Sequence, residues 1–292
     1  MTRSYVPLLL FLSLLWGASY LFIKIAGRQL EPSTMMLART VIAALALLGF
    51  LAWRGELGQL RAPIGAYALG VFNSAVPFTL IAWGEKHVDS GVAAIANASV
   101  PIFVALLAIR FRPDERARGV ALAGIVLGLA GVAVLAGAVP GGGWWGAAGT
   151  IAVALASLSY GATTLWGQSL IQRTSGPVLA TTALIGGTIV LLPAGIAQAP
   201  HQLPNLKTIG AVLGISLLGT ALAQLVWFRL LRGWGSAKAS LVTYLLPATA
   251  LVYGVALLGE PLTVFELAGL ALILAGVALG SGVIRVRTTG PA

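Results

Sequence analysis

The chain has 292 residues, 58% of them hydrophobic and only 9% charged, with a mean hydropathy of +0.95. That excludes an ordinary soluble domain, in which about a quarter of residues are charged. The net charge of +10, which in a soluble protein would suggest nucleic acid, lies at the ends of apolar runs, and the absence of cysteine excludes disulfides and thiolate metal sites.

Ten apolar runs follow one another, at about 5–26, 33–53, 63–84, 89–110, 119–139, 145–169, 178–198, 208–231, 235–257 and 262–284. A membrane-crossing helix needs roughly 20 apolar residues. Runs that are continuously apolar, rather than alternating at every second position, are helices and not barrel strands. The predicted class is an all-α membrane protein with ten transmembrane helices. With the N-terminus inside, thirteen cations fall on the inner side: Arg3, Arg54, Arg61, Arg110, Arg112, Arg116, Arg118, Arg173, Arg229, Arg232, Lys238, Arg285 and Arg287. Four fall outside, namely Lys24, Arg28, Lys86 and Lys207. This bias predicts cytoplasmic N- and C-termini in a bacterial-type inner (plasma) membrane. The first run contains Trp16 and Lys24 and lacks a clear small-residue cleavage site, so it reads as a span rather than a removed signal.

In the first run, Trp16-Gly17-Ala18-Ser19 puts small residues where another helix can approach. Arg39 lies some six residues inside the second, or about 9 Å at 1.5 Å per residue. A charge at that depth faces protein or a wet cavity. With Lys24, Glu85 and Asp89 it forms a candidate outer gate by ion pairing. The third run carries Asn73, Ser74 and Pro77, and the fourth Asn97, Ser99 and Pro101. Pro77, Pro101 and Pro247 are predicted kinks. Gly124-xxx-Gly128 in the fifth run and the Gly269–Gly276 spacing in the tenth predict helix contacts, within one chain or across a homodimer seam. Pro140-Gly141-Gly142-Gly143 is the natural boundary between a first half, 1–142, and a second, 143–292. Trp144 and Trp145 mark the outer interface.

The second half opens with Ser159, Tyr160, Gly161, Thr163, Thr164, Trp166 and Gln168. Aligning Gly161 on Gly17 puts Gln168 at the position of Lys24 and Ala183 at that of Arg39. Gln224 and Trp227 fall in the eighth run; Thr243, Tyr244, Pro247 and Tyr253 fall in the ninth, with Thr243 at the position of Asn97. The stretch from Ser90 to Val132 returns about 146 residues later: Pro101, Glu115, Gly124 and Gly131 are matched by Pro247, Glu260, Gly269 and Gly276. In each copy the glycines lie nine and sixteen residues past the glutamate. The first copy's loop carries Arg110, Arg112, Arg116 and Arg118, whereas residues 259–263 carry no cation. The same hairpin is therefore predicted on opposite sides of the membrane, as an inverted repeat.

With Trp16-Gly17, Lys24, Pro32, Arg39 and the two Pro…Glu…Gly…Gly hairpins, the chain resembles the EamA-type, ten-helix branch of the drug/metabolite transporter superfamily over nearly its whole length. The resemblance implies two inverted five-helix repeats around a central cavity, exporting small metabolites. Members include YddG-like exporters of aromatic and neutral amino acids, alongside sugar-phosphate, nucleotide-sugar and multidrug carriers. Two departures count against a cationic-drug antiporter. No glutamate lies between Tyr5 and Gly27, where the small multidrug branch has one, and the second half lacks both intramembrane cations.

The predicted substrate cavity is lined by Trp16, Asn73, Asn97, Trp166, Gln168, Gln224, Trp227, Thr243, Tyr244 and Tyr253. Its aromatics suit cation–π contact with an ammonium, and its amides suit an uncharged or zwitterionic solute. Lys24 or Arg39 could pair with a substrate carboxylate. All eight acids fall in loops or within about a turn of helix ends. They read as solvated, and transport therefore reads as facilitative, with Glu85 and Glu266 the remaining coupling candidates. No catalytic, metal or cofactor site is expected, and the partners are a small-molecule substrate, the bilayer and at most a second copy. A proton-coupled antiporter and a sugar-phosphate or nucleotide-sugar carrier remain alternatives. A membrane enzyme or channel is more distant, since the sequence shows no His-x-x-x-His, Asp-Asp or Glu-rich cluster.

Overall fold

The computed structural model describes residues 6–111, 119–137, 143–171, 173–234 and 242–280, which are helical with short connections and, among those described, contain no strand. The helices are α1 (Val6–Ala26), α2 (Pro32–Trp53), α3 (Ile64–Gly70), α4 (Val76–Gly84), α5 (Ser90–Asn97), α6 (Val100–Phe111) and α7 (Val120–Gly137). Next come α8 (Gly143–Ile171), α9 (Gly176–Ala197), α10 (Leu206–Ser216), α11 (Ala223–Trp234), α12 (Val242–Tyr253) and α13 (Val264–Gly280). Of the ten spans read from the sequence, seven are long and apolar enough to cross a membrane. Three are shorter apolar helices, Leu122–Leu135, Leu245–Leu258 and Val264–Gly276, each bordering residues outside those described or a π-helical turn. Arg3, Arg112, Asp114, Glu115, Arg116, Arg118, Pro140, Gly141, Gly142, Lys238, Arg285 and Arg287, on which the charge tally, the repeat and the half boundary drew, lie outside the described residues.

Several spans are interrupted. α3 and α4 join through a π-helical turn, Val71–Ala75, and α10 and α11 through another, Leu217–Leu222. These turns start 146 residues apart, the same offset as Pro101 and Pro247. A π turn leaves i→i−4 partners unmatched, and Thr220 Oγ1 fills such a gap by donating to the Ile215 carbonyl at 2.8 Å. Pro77 follows the first π turn, Pro101 sits at the start of α6 just past the α5–α6 break, and Pro247 lies inside α12, whose helix continues around it.

α1 packs on α12 and α10, α2 on α9, α3 on α9, α4 and α6 on α8, and α7 on α13. α1 meets α10, α11 and α12, as α8 meets α3, α4, α5 and α6. α7 and α13 touch along their glycines, as their spacing predicted. A Cβ on Gly276 would meet the Gly128 nitrogen at 2.5 Å and the Gly124 carbonyl oxygen at 2.7 Å. Exposed Leu45, Ile189, Ile196 and Val252 give the outside of the bundle an apolar coat, and Trp53 and Trp144 sit exposed at helix ends. Trp145 stacks on His87, with ring centroids 5.2 Å apart.

Candidate functional site

Pro32 at the first turn of α2 supplies a preset φ and needs no hydrogen bond there, so the helix starts cleanly and carries Arg39 two turns inward. Arg39 is 6% exposed. Its Nε donates to Thr220 Oγ1 at 2.8 Å, and its guanidinium carbon lies 3.6 Å from the centroid of the Phe78 ring. Because the Thr220 hydroxyl hydrogen is committed to the Ile215 carbonyl, its oxygen is left to accept from Arg39. The π turn in the second half thus orients a cation from the first. Among the described residues no carboxylate forms an ion pair with Arg39. Its other contact is a weak one, from Nη1 to Met36 Sδ at 3.9 Å. Several of the five N–H donors of the guanidinium are therefore open to a ligand.

Tyr20 and Tyr160 lie within electrostatic reach of Arg39. Tyr20 Oη accepts from Asn97 Nδ2 at 2.8 Å, and Asn97 Oδ1 accepts from Ser157 Oγ at 3.1 Å. This chain of polar contacts ties α1, α5 and α8 together. Accepting from Asn97 leaves the Tyr20 hydroxyl hydrogen available as a donor. One turn back on α1, Trp16 packs on Trp227 of α11, with ring centroids 5.4 Å apart.

The other predicted cavity residues are scattered. Asn73 accepts from Thr163 at 3.4 Å. Trp166 is 38% exposed and lies beside Gly65 at the start of α3. Gln224, Thr243 and Tyr253 are half-buried on α11 and α12. The side chains of Gln168 and Tyr244 lie outside those described.

The predicted gate separates into two groups. Arg39 belongs with Thr220 and Phe78. Lys24 instead donates to the carbonyl oxygens of Glu85 at 3.0 Å and Val88 at 2.6 Å, and stands 3.8 Å from Asp89 Oδ1. It closes off the C-terminal end of α4, where carbonyls lack helical partners. Lys86 pairs with Glu31 at 2.6 Å on the same end, and Arg28 is exposed. Asp89 is half-buried, and burial raises its pKa; Glu260 adds to the rise and Lys24 opposes it.

Two acids depart from the sequence reading. Glu85 and Glu266, predicted to be solvated, are 3% and 4% exposed. Position near a helix end did not expose them, because Lys24 draws α1 over Glu85, and Glu266 folds back onto the Thr263 amide at 2.8 Å. Their burial removes the ground on which transport read as facilitative.

Glu260, read only as a marker of the repeat, caps α5 from across the chain. Its carboxylate accepts from Ser90 N at 3.0 Å, Ser90 Oγ at 2.5 Å and Gly91 N at 3.4 Å. Orphan N–H groups and the positive end of the helix dipole make this a favourable place for an anion. Glu260→Ala is expected to lower stability by about 1–3 kcal/mol, as for other charge-assisted hydrogen bonds lost from buried partners. Thermal unfolding in detergent measures this, and an unchanged midpoint would show the cap to be immaterial. Tyr20, Phe78, Ser157 and Thr220 were also absent from the predicted set. A signal for Tyr20 was present: Trp16, Tyr20 and Lys24 recur every four residues on one face of α1.

The sequence matches the EamA-like transporter family twice, over residues 3–137 and 147–282. The chain belongs to this family, within the drug/metabolite transporter superfamily. It is similar to the "Uncharacterized inner membrane transporter YedA" of Escherichia coli (strain K12), 30% identical over 95% of this chain and 91% of that one. It is also similar to a "Probable terminal-alkyne amino-acid exporter" of Streptantibioticus cattleyicolor, 29% identical over 94% of this chain and 91% of that one. A "Probable amino-acid metabolite efflux pump" of Salmonella typhimurium is 27% identical over 99% of this chain and 98% of that one. A crystal structure aligns over 98% of this EamA-family chain and 100% of its own with a TM-score of 0.68, at 18% identity, which speaks for a common fold. The protein is a multi-pass membrane transporter.

Proposed function

We propose that this EamA-family transporter exports small zwitterionic solutes, neutral or aromatic amino acids, across a bacterial-type inner membrane. Ten spans form two inverted five-helix halves, 1–142 and 143–292, with both termini cytoplasmic, and the halves alternate access to a site between them. The observation that carries this reading is Arg39, a buried guanidinium that no carboxylate of the described protein neutralises. A buried cation without a counter-charge is unfavourable on its own, and a substrate carboxylate supplies what is missing. One such cation suits one carboxylate, whereas a sugar phosphate calls for several. The Tyr20 hydroxyl offers a second donor for the carboxylate, and the Trp16–Trp227 pair offers π faces for the ammonium end. The names of the Streptantibioticus and Salmonella relatives point the same way, and the doubled family match supports two related halves.

The test is counterflow in proteoliposomes loaded with one neutral amino acid and offered the same compound in labelled form. Saturable accumulation of label supports a carrier for amino acids. Flux that does not saturate indicates a channel, and no flux with any amino acid refutes the substrate class.

A further inference from the structure

Glu85 stands one residue beyond the span Ile64–Gly84. Lys24 Nζ holds its backbone carbonyl at 3.0 Å, so the main chain here is pinned to α1. Its side chain is 3% exposed, and both carboxylate oxygens are buried without a hydrogen-bond partner. A carboxylate left ionised and unpartnered in such a place is strongly disfavoured, while its protonated form is far easier to bury.

The neighbours do not supply a dedicated counter-charge. From α1 comes Lys24, whose ammonium is already committed to two carbonyls and faces Asp89 at 3.8 Å. From α2 comes Arg39, hydrogen-bonded to Thr220. From the segment before α13 comes Glu260, a second negative charge, fixed at the N-terminus of α5. Tyr20 on α1 is within electrostatic reach, and α8, which packs on α4, carries Tyr160 but no acid, lysine, arginine or histidine. Burial raises the Glu85 pKa well above the usual carboxylate range; Lys24 opposes this, Glu260 reinforces it and Arg39 opposes it.

We propose that Glu85 is a proton-binding site whose protonation accompanies closure of this end of the bundle, and whose proton leaves when the end opens to water. With the side chain buried as it is here, its pKa lies above the value it takes once hydrated. Protonation therefore favours closure fully below the hydrated value, and that preference is lost as pH rises through the closed-form value. A carrier that opens and closes this end once per cycle binds and releases one proton there, the step a proton-linked exporter requires. The inference does not depend on which solute is carried.

The test uses infrared difference spectra of the full-length protein in lipid nanodiscs, titrated from acid to alkaline pH. The expected result is a protonated-carboxyl band persisting to neutral pH or above, absent in Glu85→Gln, shifted in frequency in Glu85→Asp and retained in Asp89→Asn. Where Glu85→Gln fails to fold, the shift in Glu85→Asp makes the assignment. A band that ignores changes at residue 85, or none at neutral pH, overturns the proton site. The coupling is read from spin labels on Arg28→Cys and Leu262→Cys, since the chain has no cysteine of its own. Their separation is expected to lengthen as Glu85 deprotonates and to become independent of pH in Glu85→Gln. A separation that ignores pH while the band titrates overturns the link to closure.

Discussion

Arg39→Gln is expected to weaken substrate binding by about 10–100-fold, the ~1.5–3 kcal/mol associated with a charge-assisted hydrogen bond. Arg39→Lys is expected to recover little, because a point charge on a flexible stem reproduces neither the fork nor the Nε bond to Thr220. The decisive feature is what happens to stability. Arg39 is buried, and among the described residues no carboxylate pairs with it, so the empty protein bears the unfavourable desolvation of its charge. Removing the charge should leave the thermal midpoint in detergent unchanged or raised while transport falls. Substrate should protect the wild type against heat and the variant much less. If Arg39→Gln lowers stability and transport together, the arginine is a structural brace rather than a ligand-binding group.

The second large effect belongs to the α7–α13 seam. A side chain at Gly276 would run into the backbone of Gly124 and Gly128, and backbone atoms of a packed helix cannot turn aside as a flexible side chain can. Gly276→Val is expected to force the two helices apart, destabilising the fold by about 3 kcal/mol or more, at the upper end of the overpacking range. Gly49→Ala is the control. A Cβ there meets nothing within 4 Å, and replacing a helical glycine by alanine is expected to be neutral or to stabilise by up to about 1 kcal/mol. Thermal unfolding of the two variants side by side measures the contrast. Equal midpoints would mean that the glycine contact contributes nothing to the bundle.

Much of the architecture was legible because the bilayer imposes long apolar runs and the chain repeats its own hairpin. The glycine spacing of the fifth and tenth runs predicted a helix contact, within one chain or across a homodimer, and the α7–α13 seam lies within the chain. What escaped was pairing at a distance. Arg39 was recognisable as a deep charge, but its partner Thr220 is 181 residues away, in a turn whose sequence, LLGTAL, carries no proline and only one glycine in a glycine-rich chain. Glu85 and Glu266 looked solvated because proximity to a helix end is a property of the chain, whereas burial is a property of what folds over it. Trp166 was read as a cavity residue from its place in an aromatic and polar stretch, and its indole lies beside Gly65 at the start of α3. Tyr20, which sits at the centre of the polar contacts, was hidden among apolar neighbours, and only its four-residue spacing from Trp16 and Lys24 hinted at a common face.

Buried Arg39 is proposed to recognise the substrate carboxylate. The most direct measurement is competition in proteoliposomes between a labelled neutral amino acid and unlabelled derivatives that keep the side chain and the ammonium but carry the carboxylate as an amide or methyl ester. The expected result is saturable counterflow in which the free amino acid competes and the carboxyl-blocked forms fail, with that discrimination collapsing in Arg39→Gln. Blocked and free forms competing equally well in the wild type would contradict it.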